Sequence, residues 1–331
     1  MGAASRQRPS AMLPPQKFHC LLDELPLHLI PQAGLGRHLQ RADTSQRLFL
    51  NPECLVLPAG VMPPELENHR ELLEGFHLQS TVAWVRNTGT SSLHPFWLGP
   101  RLGALVSNLR TGEPVPPSFP QTQHALLAAA GILTPEDHEI RCRAEWSTIV
   151  SKRNQTFREK NYVSLGDLIH PFNLAALRRY YRYAIRRGAI WLGDEQSALR
   201  YVAHNEPVAR YFHHQIAKAV AEIVGEPVKP SYVYLASYMS GAELKKHTDR
   251  EQCEFSVTLC LDFSPEPALA TPWPIRLDTS AGTVTAYQAL GDGLIYRGTK
   301  VPHYRDALAR GYTSTSIFFH YVPADFSGPL N

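Results

Sequence analysis

The chain has 331 residues, 44% of them hydrophobic and 19% charged, with a net charge of +3; that is enough for two domains, or one large one, with a substantial core. So weak a positive balance excludes a nucleic-acid binder that works through bulk charge. The cysteines (Cys20, Cys54, Cys142, Cys253 and Cys260) are scattered and form no Cys-x-x-Cys pair, which argues against a disulfide framework or a cysteine zinc site.

Residues 1–17, MGAASRQRPSAMLPPQK, read as a disordered leader. They lack the apolar core of a secretory signal, and Arg6 stands where a myristoylation pattern needs Ser or Thr. No apolar run reaches the length of a membrane span, and the expected compartment is a reducing cytoplasm. Residues 18–145 are expected to form a small N-terminal α/β module. STVAWVRN (80–87) and LHPFWLG (93–99) read as strands. Leu102, Leu105, Val106 and Leu109 recur at helical spacing over 101–112, with Gly112 as a stop. A second helix is expected over 118–133, ending near Gly131. Strands followed by two short helices resemble the small peptide-recognition domains attached to enzymes that modify ribosomal peptides; the other reading is a helical decoration on the main domain.

Residues 146–331 are expected to be the main domain. Its first part, 146–229, reads as a helical flank. Leu174, Leu177, Tyr181, Ala184 and Ile185 share one face of a helix over 173–188, with Arg178, Arg179, Arg182, Arg186 and Arg187 mostly on the other. Basic residues among tyrosines admit a nucleic-acid reading, but such a helix is more often amphipathic with a solvated charged face. Residues 206–225 repeat the pattern through Val208, Phe212, Ile216, Val220 and Ile223, with Gly225 as the cap. His213 and His214 are adjacent, so they point to different sides and do not chelate together.

After Pro230 the texture changes. About eight β-rich runs, separated by turn residues, fill roughly ninety residues up to 322, a spacing typical of a sandwich or barrel. The expected fold is therefore α+β: a double-stranded β-helix (jelly-roll) barrel over 230–322, with a helical flank and the N-terminal module. In GAELKKHTDREQ (241–252), strand alternation projects His247 and Asp249 together. His303 lies near the start of the seventh run, which in an eight-stranded jelly roll neighbours the second. Two imidazoles and one carboxylate on one face of an ion suit non-haem Fe(II) in an oxygenase.

YMSGAELKKHTD and LGDGLIYRGTKVPHYRDALARG resemble the Fe(II)/2-oxoglutarate-dependent oxygenases, most closely the prolyl-4-hydroxylase branch. The likeness covers about a third of the chain. It implies that His247, Asp249 and His303 ligate Fe(II), that Tyr238 lies near 2-oxoglutarate, and that 2-oxoglutarate and O2 are co-substrates. The implied activity is hydroxylation of a C–H bond in a peptide or protein side chain or an amino-acid-like small molecule, with no nucleic-acid or membrane partner. The family normally carries Arg or Lys about ten residues after the distal histidine, where this chain has Thr313, with Thr315 two further on. A buried dicarboxylate needs a cation. Arg305, on the strand of His303, is the first candidate, with the hydroxyls of Thr313 or Thr315 assisting; Arg297 and Arg310 are weaker ones, and a rim salt bridge with Asp306 is the competing role for Arg305. The rival to the whole reading is a cupin-like metal or ligand-binding jelly roll without 2-oxoglutarate; a nucleic-acid demethylase of the same iron class is weaker.

Overall fold

The computed structural model describes residues 16–41 and 46–331; residues 1–15, most of the expected leader, lie outside them. The chain forms two compact units, Lys17–Val150 with Ile169–Arg179, and Ser151–Leu168 with Tyr180–Asn331. None of the five cysteines is in a disulfide. No helix among the described residues is long and apolar enough to cross a membrane.

The first unit opens with α1 (Gln32–Arg41) and then places β1 (Leu48–Leu50), β2 (Cys54–Leu57), β3 (Val82–Arg86), β4 (Leu93–Trp97), α2 (Pro100–Ser107), α3 (Gln121–Ala129) and β5 (Leu133–Pro135) in chain order. β2, β3 and β4 form an antiparallel sheet, and β1 pairs with β5. The whole of β4 is buried, and Trp97 stacks on Phe76 and meets the edge of Phe18. Helix α2 stops well short of the expected Gly112. At its end the Ser107 hydroxyl and the Asn108 amide donate to the carbonyls of Gly103 and Ala104, a competition with the backbone that ends helices. Gly131, at φ +73°, turns the chain out of α3 into β5.

From α4 (His138–Lys160) the chain enters the second unit through β6 (Tyr162–Leu165) and returns to it along α5 (Pro171–Arg186). β7 (Trp191–Leu192), β8 (Arg200–His204), α6 (Pro207–Gln215) and α7 (Ala217–Val224) follow. The helical flank expected over 146–229 thus also holds strands: β6, β7 and β8 lie within it and join a sheet. The single helix expected over 206–225 is two, parted at Ile216, whose φ of −90° and ψ of −2° depart from the regular helix. Glu206 caps α6 by accepting from Ala209 N–H, with Pro207 at the first helical position. Gly225, at φ +81°, ends α7.

Eight strands complete the unit: β9 (Val228–Tyr238), β10 (Leu244–His247), β11 (Phe255–Ser264), β12 (Ile275–Thr279), β13 (Gly282–Ala286), β14 (Gly293–Arg297), β15 (His303–Arg305) and β16 (Thr313–Pro323). They fall into two antiparallel sheets. One has the order β6-β14-β11-β16-β9-β8-β7, the other β10-β15-β12-β13. β11 lies between β14 and β16 and is buried from Phe255 to Phe263. Ser256, Thr258 and Asp262, which break up its apolar residues, are buried with them, as befits a strand covered on both faces.

The basic helix expected over 173–188 is mostly committed to internal contacts. Arg178 is fully buried, correcting its expected place on the solvated face, and donates to Leu29 O at 2.5 Å. Tyr180 and Tyr181 donate to the Glu206 carboxylate at 2.9 and 2.5 Å. Arg182 grips Asp262 through Nε and Nη2 at 2.5 and 2.8 Å.

Candidate metal centre and its cavity

β10 and β15 are antiparallel neighbours, and His247 stands opposite His303. Leu244 stands opposite Arg305, so three steps along β10 span two along β15. The bulge cancels one alternation and brings His247 to the face of its partner. β10 ends at His247. Asp249 is therefore not carried by strand alternation; it lies in the turn that follows, where its N–H donates to Gly298 O at 2.9 Å.

The turn folds the carboxylate back on the imidazoles. Asp249 Oδ1 lies 3.5 Å from His247 Nε2 and 3.6 Å from His303 Nε2, and the histidine rings are 4.4 Å apart. One donor atom from each residue falls within 4.8 Å of the others. Bonds from an ion to imidazole nitrogen and carboxylate oxygen run about 2.0–2.2 Å, so one ion reaches all three. The outer nitrogens are also arranged for it. His247 Nδ1 lies 2.8 Å from Lys245 O, and His303 Nδ1 lies 3.0 Å from Val301 O. A carbonyl only accepts, so each Nδ1 carries a proton, and the neutral ring then has its lone pair on Nε2. The Tyr296 hydroxyl meets that lone pair on His303 at 3.4 Å.

The electrostatics favour a charged carboxylate. Burial pushes Asp249 up, but a hydrogen bond from the protonated form of His247, one from Ser256, and the nearby imidazoles outweigh it and bring it down to about 2. His247 is raised above its ordinary value, chiefly by its contact with Asp249, whereas burial lowers His303 despite the same carboxylate. The partners disagree because His303 is the more deeply buried.

The triad opens into a cavity of about 640 Å³ walled by Trp191, Arg200, Tyr232, Tyr234, Tyr238, Phe318 and His320 among others. Arg200 on β8 and Asp194 in the β7–β8 turn are site residues that sequence reasoning missed. Asp194 Oδ1 accepts from the N–H groups of Gln196 and Ser197, which shapes the turn. Its Oδ2 takes Arg200 Nε and Nη2 at 2.9 and 2.5 Å and the Tyr234 hydroxyl at 2.5 Å. Arg200 Nη1 also donates to the Tyr238 hydroxyl at 3.0 Å. The signal was the alternation of Arg200, Val202 and His204, but the sequence places no partner opposite them.

Arg305 is 4% exposed. Its Nη1 donates to Trp273 O at 2.5 Å, its Nη2 to Gln288 Oε1 at 3.1 Å, and its guanidinium lies 4.7 Å from the centre of the Trp273 ring. Trp273 in turn packs on Tyr238 at 5.0 Å. Nε of Arg305 is buried without a hydrogen-bond partner. Asp306, the expected rim partner, pairs with Arg276 instead, and Arg297 is held by Glu226 and Glu254. The two threonines stand apart: Thr313 is exposed at the start of β16, and the Thr315 hydroxyl is bonded to Ser237 Oγ at 2.8 Å. Neither is part of the cavity wall. Arg305 is not in that wall either, and Arg310 is exposed.

No family model matches the chain, and no curated protein does. Among solved structures it is similar to the non-heme alpha ketoglutarate dependent epimerase SnoN from nogalamycin biosynthesis, at 13% identity and a TM-score of 0.44 over 54% of this chain and 84% of that one. A prolyl-4-hydroxylase from Pseudomonas putida matches at 14% identity and TM-score 0.44, over 53% of this chain and 99% of its own. EctD from S. alaskensis matches at 14% identity and TM-score 0.43, over 52% and 76%.

Proposed function

We propose that the chain is a non-haem Fe(II)/2-oxoglutarate-dependent oxygenase that hydroxylates a C–H bond of a peptide or protein side chain or of an amino-acid-like small molecule. In this reading β9 to β16 are the eight strands of a jelly roll, divided between the two sheets. The observation that carries it is the pair of imidazoles, each with Nδ1–H tied to a backbone carbonyl and its Nε2 turned to one oxygen of Asp249. Outer hydrogen bonds of this kind fix the tautomer of a metal-ligating histidine.

His247, Asp249 and His303 would hold Fe(II). With 2-oxoglutarate, the iron supplies oxidation of the substrate by O2. Arg305 would receive the far carboxylate of the co-substrate: it is a buried cation whose hydrogen bonds go only to a carbonyl and an amide, and its Nε is unused. Trp273 and Tyr238 wall that position, and Arg200 orients the Tyr238 hydroxyl. Arg200 itself is neutralised by Asp194 and is not the anchor. Tyr232, Tyr234 and Phe318 give the cavity aromatic walls that keep water from the reacting bond. A volume of about 640 Å³ is within the range of small-molecule pockets.

The test is an anaerobic titration of the protein with Fe(II) and 2-oxoglutarate, read by the visible iron-to-ketoacid charge-transfer band. The band is expected in the wild type and absent in His303→Ala. Arg305→Met is expected to keep the iron and weaken 2-oxoglutarate about 10- to 100-fold, the worth of one charged hydrogen-bonding group. Iron binding without any band would remove the co-substrate and leave a cupin-like metal protein.

A further inference from the structure

His320 is a buried strand histidine on β16 with no role in the triad, yet it reaches Asp249 through one hydroxyl. Ser256 Oγ donates to Asp249 Oδ2 at 2.8 Å, and His320 Nδ1 lies 2.9 Å from the same Oγ. The serine has one proton, and the carboxylate claims it. His320 must therefore donate from Nδ1, which fixes the direction of the chain: His320 to Ser256 to Asp249. Ser256 is fully buried and His320 is 6% exposed, so water does not replace either bond cheaply.

Gly298 closes the other side. A Cβ there would collide with Asp249 Oδ2, Cys253 O and Ser256 Oγ, while the Gly298 carbonyl holds the Asp249 N–H. Asp249 is thus gripped on its backbone and on Oδ2, and only Oδ1 faces both imidazoles.

We infer that Ser256, His320 and Gly298 are positioning residues that make Asp249 a one-oxygen ligand, holding Oδ2 away from the ion. The inference rests on the metal reading of the triad and adds what sets the carboxylate's geometry. Asp249, Cys253 and His320 also bring one donor atom each within 4.8 Å of one another. Cys253 Sγ, however, lies on the Tyr232 hydroxyl at 3.1 Å and His320 Nδ1 on Ser256 Oγ. The group holds the carboxylate in place of a second ion.

The experiment is Co(II) binding to the full chain, measured by chelator competition and by the visible spectrum of the bound ion. The wild type is expected to take one Co(II). Ser256→Ala is expected to lose about 10- to 100-fold in affinity, as outer partners of metal ligands do, and to shift the cobalt spectrum because Oδ2 is released. His320→Asn keeps an N–H near the Nδ1 position and is expected to retain most of the affinity; His320→Leu is not. A protein merely loosened by these changes would lose affinity in both His320 variants with the spectrum unmoved, and that result overturns the inference. Wild-type affinity and spectrum in Ser256→Ala also overturn it, and so does a stoichiometry of two. If the wild type takes no cobalt, the triad reading itself has failed and the inference falls with it.

Discussion

In the first unit His170 lies with its ring 4.4 Å from His38 and 6.0 Å from His94; in the second, His247 lies 4.4 Å from His303. The spacings are alike and the chemistry is not. His170 accepts from Phe172 N–H on Nδ1 and donates from Nε2 to Ala129 O, between the rings of Phe96 and Phe172. His94 Nε2 meets Ser92 Oγ, and burial brings its pKa down to about 3. His94 and His170 are packed, buried rings. In the second unit the same groups keep their outer nitrogens occupied and present the inner ones to a carboxylate beside an open cavity. Histidines close together do not make a site; the free lone pairs and the acid between them do.

That contrast can be broken most directly by removing the acid. Asp249→Ala should lower Fe(II) or Co(II) affinity by more than about 100-fold, beyond what loss of an outer partner gives, while His94→Gln should leave it within about twofold; equal losses in a chelator-competition assay would erase the distinction. The next effect is on stability. His94 stays neutral in the folded chain down to about pH 3, whereas its ordinary value is 6.5. The contribution of this group to stability is therefore full above pH 6.5. It falls as the pH drops toward 3, because the unfolded chain takes up a proton that the folded one refuses, with a slope of about 1.4 kcal/mol per pH unit. Urea titrations at pH 7 and pH 5 should show a slope in this direction, to which His213 and His320, also lowered by burial, contribute, and His94→Gln should make it shallower. The smallest effect is expected at Thr313: as an exposed residue outside the cavity wall, Thr313→Ala should change stability by less than about 0.5 kcal/mol and leave 2-oxoglutarate affinity alone.

Much of the second unit was legible before the fold. The eight strands after Pro230 announce themselves by short apolar runs and turn residues, and His247 and His303 stand out because strand order makes their runs neighbours. What was hidden depends on pairing between distant segments. β7 has two residues, too few for any periodicity. Asp249 owes its direction to a bond with Gly298 and His247 to a bulge, neither of which leaves a mark in the local pattern. Arg178 reads as a surface charge until the Leu29 carbonyl is found above it. His320, legible only as one more strand histidine, gains its meaning from Ser256, its register partner on β11.

Among the described residues β10 is the outermost strand of its sheet, paired on one side only with β15 at Leu244 and His247. A free edge is where sheets recruit other chains. Since one triad histidine sits on this rim and another on the strand inside it, a shared ion would also fasten the rim down. Chelation should then raise amide hydrogen exchange over 244–249 while β11 and β16 stay protected, and should make the protein more prone to self-association. The same three ligands would thus guard solubility, a burden separate from any chemistry they perform.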